Sequence, residues 1–294
     1  MTGVTLPHRY TGKVRDLYEV SPERMLIVAS DRISVFDVVL DDEITDKGRA
    51  LTALSAFWFD ATATLAANHF LTANPAEFPA AAGADVAGRA MLVRAAQPVR
   101  LECIARGYLF GSAWEEYEAA GTVCGRALPG GLARAERLPQ PIFTTTTKSE
   151  PGAGHDETLT DAEAITLVGE ETFGRCRDAA LAIYRFGARH AETRGLILAD
   201  TKLEFGIIDD DVLVIDELLT SDSSRYWDAE QYAPGTSPPS FDKQYARDYY
   251  ATTGWDHRPP APRLPQTVIA GTRARYIEAY ERITSARFDD WYSS

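Results

Sequence analysis

The stretch LADTKLEFGIIDDDVLVIDELLTSDSSRYW, Leu198 to Trp227, constrains the fold more tightly than any other part of the chain. Asp200, Lys202 and Glu204 alternate, so as a strand they share one face, while Ala199, Leu203, Phe205 and Ile207 form an apolar face that needs a core. The three aspartates supply a turn, and VLVIDELL reads as the returning strand. A pivot at Asp210 places Glu204 opposite Asp216. Carboxylates facing each other destabilise a sheet unless a proton or a cation intervenes, and magnesium favours carboxylate oxygens. A solvated face on which Lys202 pairs with either neighbour fits the same spacing. The donor-rich loop DSSR, ending at Arg225, adds a place to hold an anion.

Charge narrows the partners. The chain of 294 residues carries a net charge of −13, without the basic footprint that nucleic acid requires. A few local Lys and Arg residues still suffice for a phosphorylated small molecule. Cys103, Cys124 and Cys176 are scattered with no CxxC, which argues against a zinc site and a disulfide framework and suits a reducing compartment. The N-terminus has no apolar signal core and no run approaches bilayer length, so a cytoplasmic protein with no membrane partner is expected. Oligomeric state is left open.

Along the chain, GKVRDLYEV and RMLIVAS read as strands joined by SPER, with VFDVVL continuing the sheet. Residues 51–70 have helical spacing, with Leu51, Leu54, Phe57, Trp58 and Leu65 as the buried face. RAMLVRAAQPVRLECIARGYL gives two strands broken near Ala96 to Pro98. Ser112 with Glu115 fits a capping box opening a helix, residues 121–160 read as loop-rich, and Thr160 with Glu163 caps one long helix to about Arg194. Pro-rich linkers precede a C-terminal helix. The pattern predicts an α+β fold of two lobes, 1–98 and 99–294, with a crevice between them.

Several segments could carry chemistry. In GKVRDLY, Lys13 and Arg15 alternate onto one face beside Gly12, although no GxxxxGK[ST] loop is present and, for this segment alone, an edge strand carrying protective basic residues is the better explanation. In VRLECIARGYLFGSAW, Arg100, Glu102 and Arg106 share a face, and Ser112 opens a helix whose free N–H groups could meet a phosphate. A structural ion pair at Glu102 competes with that reading. PIFTTTTKSE offers Lys148; GHDE offers His155 and Asp156, of which the histidine carries little weight.

Together with ASDRISVFDVVL, DTKLEFG, IDELLTSDSSRYW and SFDKQYARDY, these segments occur in the order seen in the phosphoribosylaminoimidazole-succinocarboxamide synthase (SAICAR synthetase) family, which the chain resembles from Tyr10 to about Tyr250. The resemblance implies an N-terminal antiparallel β lobe of kinase-like or ATP-grasp-like character and a larger α/β lobe, with the active-site cleft between them. It implies ATP- and magnesium-dependent joining of L-aspartate to 5-amino-1-(5-phospho-D-ribosyl)imidazole-4-carboxylate (CAIR) in de novo purine synthesis. Lys13 and Arg15 then correspond to the basic pair over the ATP phosphates, and Arg94, Ala96 and Pro98 to the adenine-binding connection. Arg106, Ser112 and Arg225 correspond to the CAIR site. Lys148, Asp156, Asp200 and Lys202 correspond to residues of the catalytic cleft, and Glu204 and Asp216 to the magnesium ligands. Arg15 stands where some members carry Lys, and the two differ in hydrogen-bonding geometry. Two other readings compete: a phosphotransferase acting on a hydroxyl, and a nucleotide-binding module without turnover.

Overall fold

The computed structural model describes residues 3–36, 38–148 and 157–291. The chain opens with β1 (His8–Thr11), β2 (Arg15–Ser21) and β3 (Arg24–Ala29). Then come β4 (Arg32–Val35), β5 (Val38–Glu43), helix α1 (Lys47–Thr62), β6 (Phe70–Thr72) and β7 (Ala90–Arg94). Five of these strands form one antiparallel sheet in the order β1-β2-β3-β7-β6. β5 does not continue it: among the described residues, β4 and β5 form a two-stranded sheet of their own. In α1 the residues Leu51, Leu54 and Trp58 are buried as the spacing predicts, with Phe59 beside them, but Leu65 lies beyond the helix and is 41% exposed.

The second sheet begins at β8 (Gln97–Tyr108), separated from β7 by the two residues Ala95 and Ala96. Helix α2 (Ser112–Ala120), β9 (Thr122–Val123) and β10 (Arg126–Ala127) follow, then β11 (Arg137–Thr147) and β12 (Thr158–Leu159). The eleven-residue β11 corrects the loop-rich reading of 121–160: its Thr-rich end pairs along β8, where β-branched side chains suit a pleated surface. Helices α3 (Asp161–Val168) and α4 (Glu170–Glu192) precede β13 (Leu196–Ile208), β14 (Asp211–Ile215) and β15 (Ser224–Asp228). The sheet order is β12-β11-β8-β13-β14, and β15 pairs with the first half of β13. Helices α5 (Gln244–Ala251) and α6 (Gln266–Thr284) complete the chain.

Local chemistry accounts for the departures from expectation. The Thr160–Glu163 capping box is present, but Gly169 (φ 85°, ψ 152°) takes a conformation open essentially to glycine and splits the long helix into α3 and α4. At α2 the cap residue is Gly111, and Ser112 is already helical and caps nothing. α4 buries Phe173, Cys176, Ala180, Ile183, Tyr184, Gly187 and Ala191, a stripe at helical spacing. It covers the apolar face of β8 and β13, where Leu101, Cys103, Leu203 and Phe205 are at most 1% exposed. Each such side chain stabilises by about 1.5–3 kcal/mol. One core runs through both sheets, from Ile27 to Phe288, which fixes the polar face of β13 relative to the first sheet. Among the described residues, no helix is long and apolar enough to cross a membrane.

Candidate active site

Strand β13 is the spine of the site. β8 sets Arg106 opposite Asp200 and Glu102 opposite Glu204, while β15 sets Arg225 opposite Asp200 from the other side. β11 contributes Thr144 and Thr146 and ends one residue before Lys148.

The hairpin register differs from the expected one. Asp209 and Asp210 both adopt left-handed conformations (φ 48° and 68°), which closes a two-residue turn of the kind that matches strand twist. Glu204 therefore faces Ile215, and Asp216 falls one residue beyond β14 at φ 67°. The carboxylates that face each other across the sheet are Glu204 and Glu102, and Lys202 lies between them. Lys202 pairs with Glu102 and lies 3.7 Å from Glu204, and Lys148 pairs with the other Glu204 oxygen. Thr146 Oγ1 donates to Glu102 at 3.3 Å.

At the Asp200 end, Arg106 Nη1 donates to Asp200 Oδ2 at 3.2 Å, and Arg225 Nη1 donates to the same oxygen. Arg106 Nε donates to Thr144 Oγ1 at 3.1 Å. Burial lowers the Arg106 pKa; Asp200 opposes that shift and Arg225 reinforces it. Arg225 lies over the Phe110 ring, 5.4 Å from its centroid. Gly111 (φ 60°) lets the chain pass here: a Cβ would sit 2.7 Å from Arg225 Nη2.

At the other end the first sheet joins in. Arg15 Nη2, from β2, donates to Asp216 Oδ2 at 2.6 Å and to Glu217 Oε1 at 3.1 Å. Burial would depress Arg15, yet Asp216, Glu217 and Glu204 hold its pKa above the ordinary value. The Asp216 carboxyl moves in the less obvious direction: burial, with Glu204 and Glu217 nearby, pushes it up to about 6 despite Arg15. The two shifts agree once three carboxylates are seen to share one guanidinium. Glu204 itself is held low, because Lys202 and Lys148 outweigh the effect of burial.

The remaining expected residues are spread more widely. Lys13 is exposed in the turn between β1 and β2, so it does not alternate with Arg15 on a strand; its carbonyl accepts from Arg32 Nε at 3.2 Å. Arg94, Ala96 and Pro98 lie where the chain crosses between sheets, with Pro98 opposite Gly206. Ser112 is exposed on a shallow cavity of about 370 Å³ with Glu116, Cys124, Gly125, Thr158 and Thr160. Glu116 and Cys124 are close enough to Arg106 to bias its charge. Asp156, like His155, lies outside the described residues.

Sequence reasoning missed Glu217, which immediately follows Asp216 in IDELL, and the buried Lys47, whose Nζ lies 2.6 Å from Asp222 Oδ2. Tyr276 OH donates to the other Asp222 oxygen at 2.6 Å, tying α1 and α6 to the loop that leads into β15 and Arg225. Nothing in the DKG stretch around Lys47 signals burial. The shared parity of Thr144, Thr146 and Lys148 was a readable signal.

Known proteins share both sequence and geometry with this chain. The SAICAR synthetase family profile matches residues 8–262. The chain belongs to the SAICAR synthetase family. It is 50% identical to the phosphoribosylaminoimidazole-succinocarboxamide synthase of Bordetella petrii over 283 residues, 96% of each chain. It is also 50% identical to that of Saccharopolyspora erythraea over 292 residues, 98% of this chain and 97% of the other. The solved structure of SAICAR synthase from Saccharomyces cerevisiae complexed with SAICAR superposes with a TM-score of 0.87, at 39% identity over 96% of each chain. Among the described residues of this SAICAR synthetase family member, no three His, Cys, Asp or Glu side chains gather as a metal cluster. A cation at Glu204 and Asp216 would need further ligands from a phosphate substrate and water, which is the usual habit of magnesium.

Proposed function

We propose that the chain joins L-aspartate to the carboxylate of CAIR at the expense of ATP, giving SAICAR, ADP and phosphate in de novo purine synthesis. The observation that best supports this reading is the opposite charge surplus at two places along one face of the site, cationic around Asp200 and anionic where Glu204 of β13 nears Asp216 and Glu217. A carboxylate is a poor electrophile because its oxygen leaves badly. Phosphorylation by ATP gives an acyl phosphate, which the aspartate amine attacks as phosphate departs. Positioning and charge neutralisation dominate such transfers.

In this reading Arg106 and Arg225 hold the anionic groups of CAIR, and Asp200 keeps both guanidiniums aligned. Ser112, at the start of α2, adds a contact to the nucleotide. Lys148 and Lys202 leave their carboxylate partners to meet the reacting carboxylate and phosphoryl oxygens, with Asp156 also lining the cleft. Lys13 and Arg15 hold the ATP phosphates, and the main chain from Arg94 through Ala96 to Pro98 meets adenine. The lobe of residues 1–98 thus takes ATP, and residues 99–294 take CAIR and the metal, in the cytoplasm. Glu204 and Asp216 fit magnesium, since both are hard oxygen donors, and burial, with Glu204 and Glu217 nearby, raises the Asp216 pKa, a shift that a bound cation would oppose. When bound, the ion would neutralise and orient phosphate oxygens. The test is phosphate release from ATP with CAIR present, with and without L-aspartate, while the imidazole product is followed. Release that ignores aspartate would indicate hydroxyl phosphorylation, and no release would indicate a binding module.

A further inference from the structure

The connection between β14 and β15, residues 216–223, runs through the interior, whereas loops usually lie on the surface. Leu218, Leu219 and Thr220 are 0% exposed, and Ser221 is 1% exposed. The loop leaves the site at Asp216 and Glu217 and returns to it at Ser224 and Arg225 of β15. Between them stands Asp222, whose two carboxylate oxygens are held by other elements. Lys47 Nζ, from the first residue of α1, donates to Oδ2 at 2.6 Å, and Tyr276 OH, from α6, donates to Oδ1 at 2.6 Å. The Lys47 side chain is 0% exposed and that of Asp222 is 7% exposed. α6 also holds the residue that precedes α1, since Arg273 Nη2 donates to Asp46 Oδ2 at 2.6 Å.

From Asp222 hydrogen bonds run to both ends of the loop. The N–H groups of Asp222 and Ser223 donate to Thr220 Oγ1 at 3.2 and 3.3 Å, and Thr220 Oγ1 donates to Glu217 Oε2. The other Glu217 oxygen accepts from Arg15 Nη2 at 3.1 Å. On the return side, Ser223 O accepts from the Lys202 N–H at 2.7 Å, and Ser224 Oγ donates to Thr201 Oγ1 at 2.8 Å. Replacing a buried ion pair by apolar side chains is often neutral for stability, so stability alone does not explain the pair of Lys47 and Asp222.

We propose that Lys47 and Asp222 are positioning residues, their pair anchoring the β14–β15 loop to α1 and α6 so that Glu217 aligns the Arg15 guanidinium while Ser223 fixes the main chain at Lys202. Arg106 and Arg225 are placed by the strand ladder instead. The catalytic consequence rests on the proposed roles of Arg15 and Lys202; the anchoring does not.

The experiment uses the double variant Lys47→Met, Asp222→Asn, which leaves no unpaired charge and keeps an acceptor for Tyr276. Without substrates, amide hydrogen exchange at 217–223 is expected to accelerate about tenfold, with the ladder of β8 and β13 unchanged. In steady-state assays kcat should fall about tenfold and the KM for ATP should rise several-fold, with the KM for CAIR within about twofold of wild type. Lys47→Met alone buries the Asp222 carboxylate without its cation, so it should melt below the double variant while showing the same kinetic losses. A pair that serves stability only predicts that the kinetics recover together with the melting temperature. Such recovery, unchanged exchange at 217–223, or equal rises in both KM values overturns the proposal. Should neither Lys47 variant fold, Tyr276→Phe removes one bond to Asp222 without changing charge, and the same exchange and kinetic outcomes decide. If exchange responds as expected while wild-type phosphate release ignores L-aspartate, the anchoring stands and the ligase reading falls.

Discussion

At the Asp200 end of β13, two guanidiniums converge on a single carboxylate oxygen. Within the same strand, Glu204 stands in a group where Glu102, Asp216 and Glu217 are the other carboxylates, with Lys148, Lys202 and Arg15 as the paired cations. The first region suits an incoming anion and the second an incoming cation. The difference is built by different means. Ladder register sets the cationic end, since Arg106 and Arg225 flank Asp200 on neighbouring strands. The anionic end depends on a turn, because Asp216 lies past the end of β14 and meets a guanidinium from the other sheet. In the function proposed above, this split lets a nucleotide carboxylate and a metal–phosphate group sit side by side without either ligand competing for the other's partners.

The largest expected effect tests the anionic end. Asp216→Asn keeps shape and tolerates the left-handed backbone, so it removes charge alone. Turnover should fall about a hundredfold or more, with a raised magnesium requirement and little change in the KM for CAIR, as a magnesium titration of initial rates would show. Wild-type magnesium dependence would remove the metal from this end. Next is Arg225→Lys at the cationic end. An ammonium cannot reproduce the planar fork, so the KM for CAIR should rise about tenfold while the KM for ATP is unaffected. Equal losses on both substrates would mean that the two ends do not act separately.

How much of this was legible in the sequence follows the same division. Alternation alone placed Asp200, Lys202 and Glu204 on one face, because side chains in a strand repeat every two residues. Arg106 and Arg225 were readable as candidates from neighbouring polar segments. The partner of Glu204 was not, since a two-residue turn shifts the register by one and exchanges Asp216 for Ile215. The contact between Arg15 and Glu217 spans both sheets and leaves no local pattern. Lys47 was unreadable for the same reason: its burial depends on Asp222, 175 positions away. The break at Gly169 was available in principle, but a strong capping box upstream favoured one continuous helix.

A smaller effect isolates the approach of Arg225. Gly111→Ala adds a methyl that would sit 2.7 Å from Arg225 Nη2, at a φ of 60° that alanine adopts poorly. The guanidinium must shift, so the KM for CAIR should rise several-fold, with a stability loss of about 1–2 kcal/mol in urea melts. An Arg225→Lys background should suppress most of the kinetic effect but keep the stability loss. Full additivity in KM would place the damage elsewhere in α2.

The smallest effect reads the anionic surplus directly, without substrate. Asp216 titrates near 6 in the folded protein because of burial and then Glu204 and Glu217, against about 3.9 in an unfolded chain. Between those values the folded state of the metal-free protein holds a proton that the unfolded state has lost. Stability from this group is therefore present below about pH 4 and is lost as pH rises through 6. Glu204 and Asp222, both held low, slope the other way, so only the difference between wild type and Asp216→Asn is diagnostic. The variant should gain on wild type by about 1–2 kcal/mol from pH 4 to pH 7, since the Asp216 side chain is 20% exposed and partly screened. Magnesium should close the gap at pH 7 by binding wild type in preference. Urea melts at constant ionic strength, with and without the ion, give both quantities. A gap that stays constant across this range would mean that Arg15 fully neutralises its carboxylates, leaving no cation-seeking end on the strand.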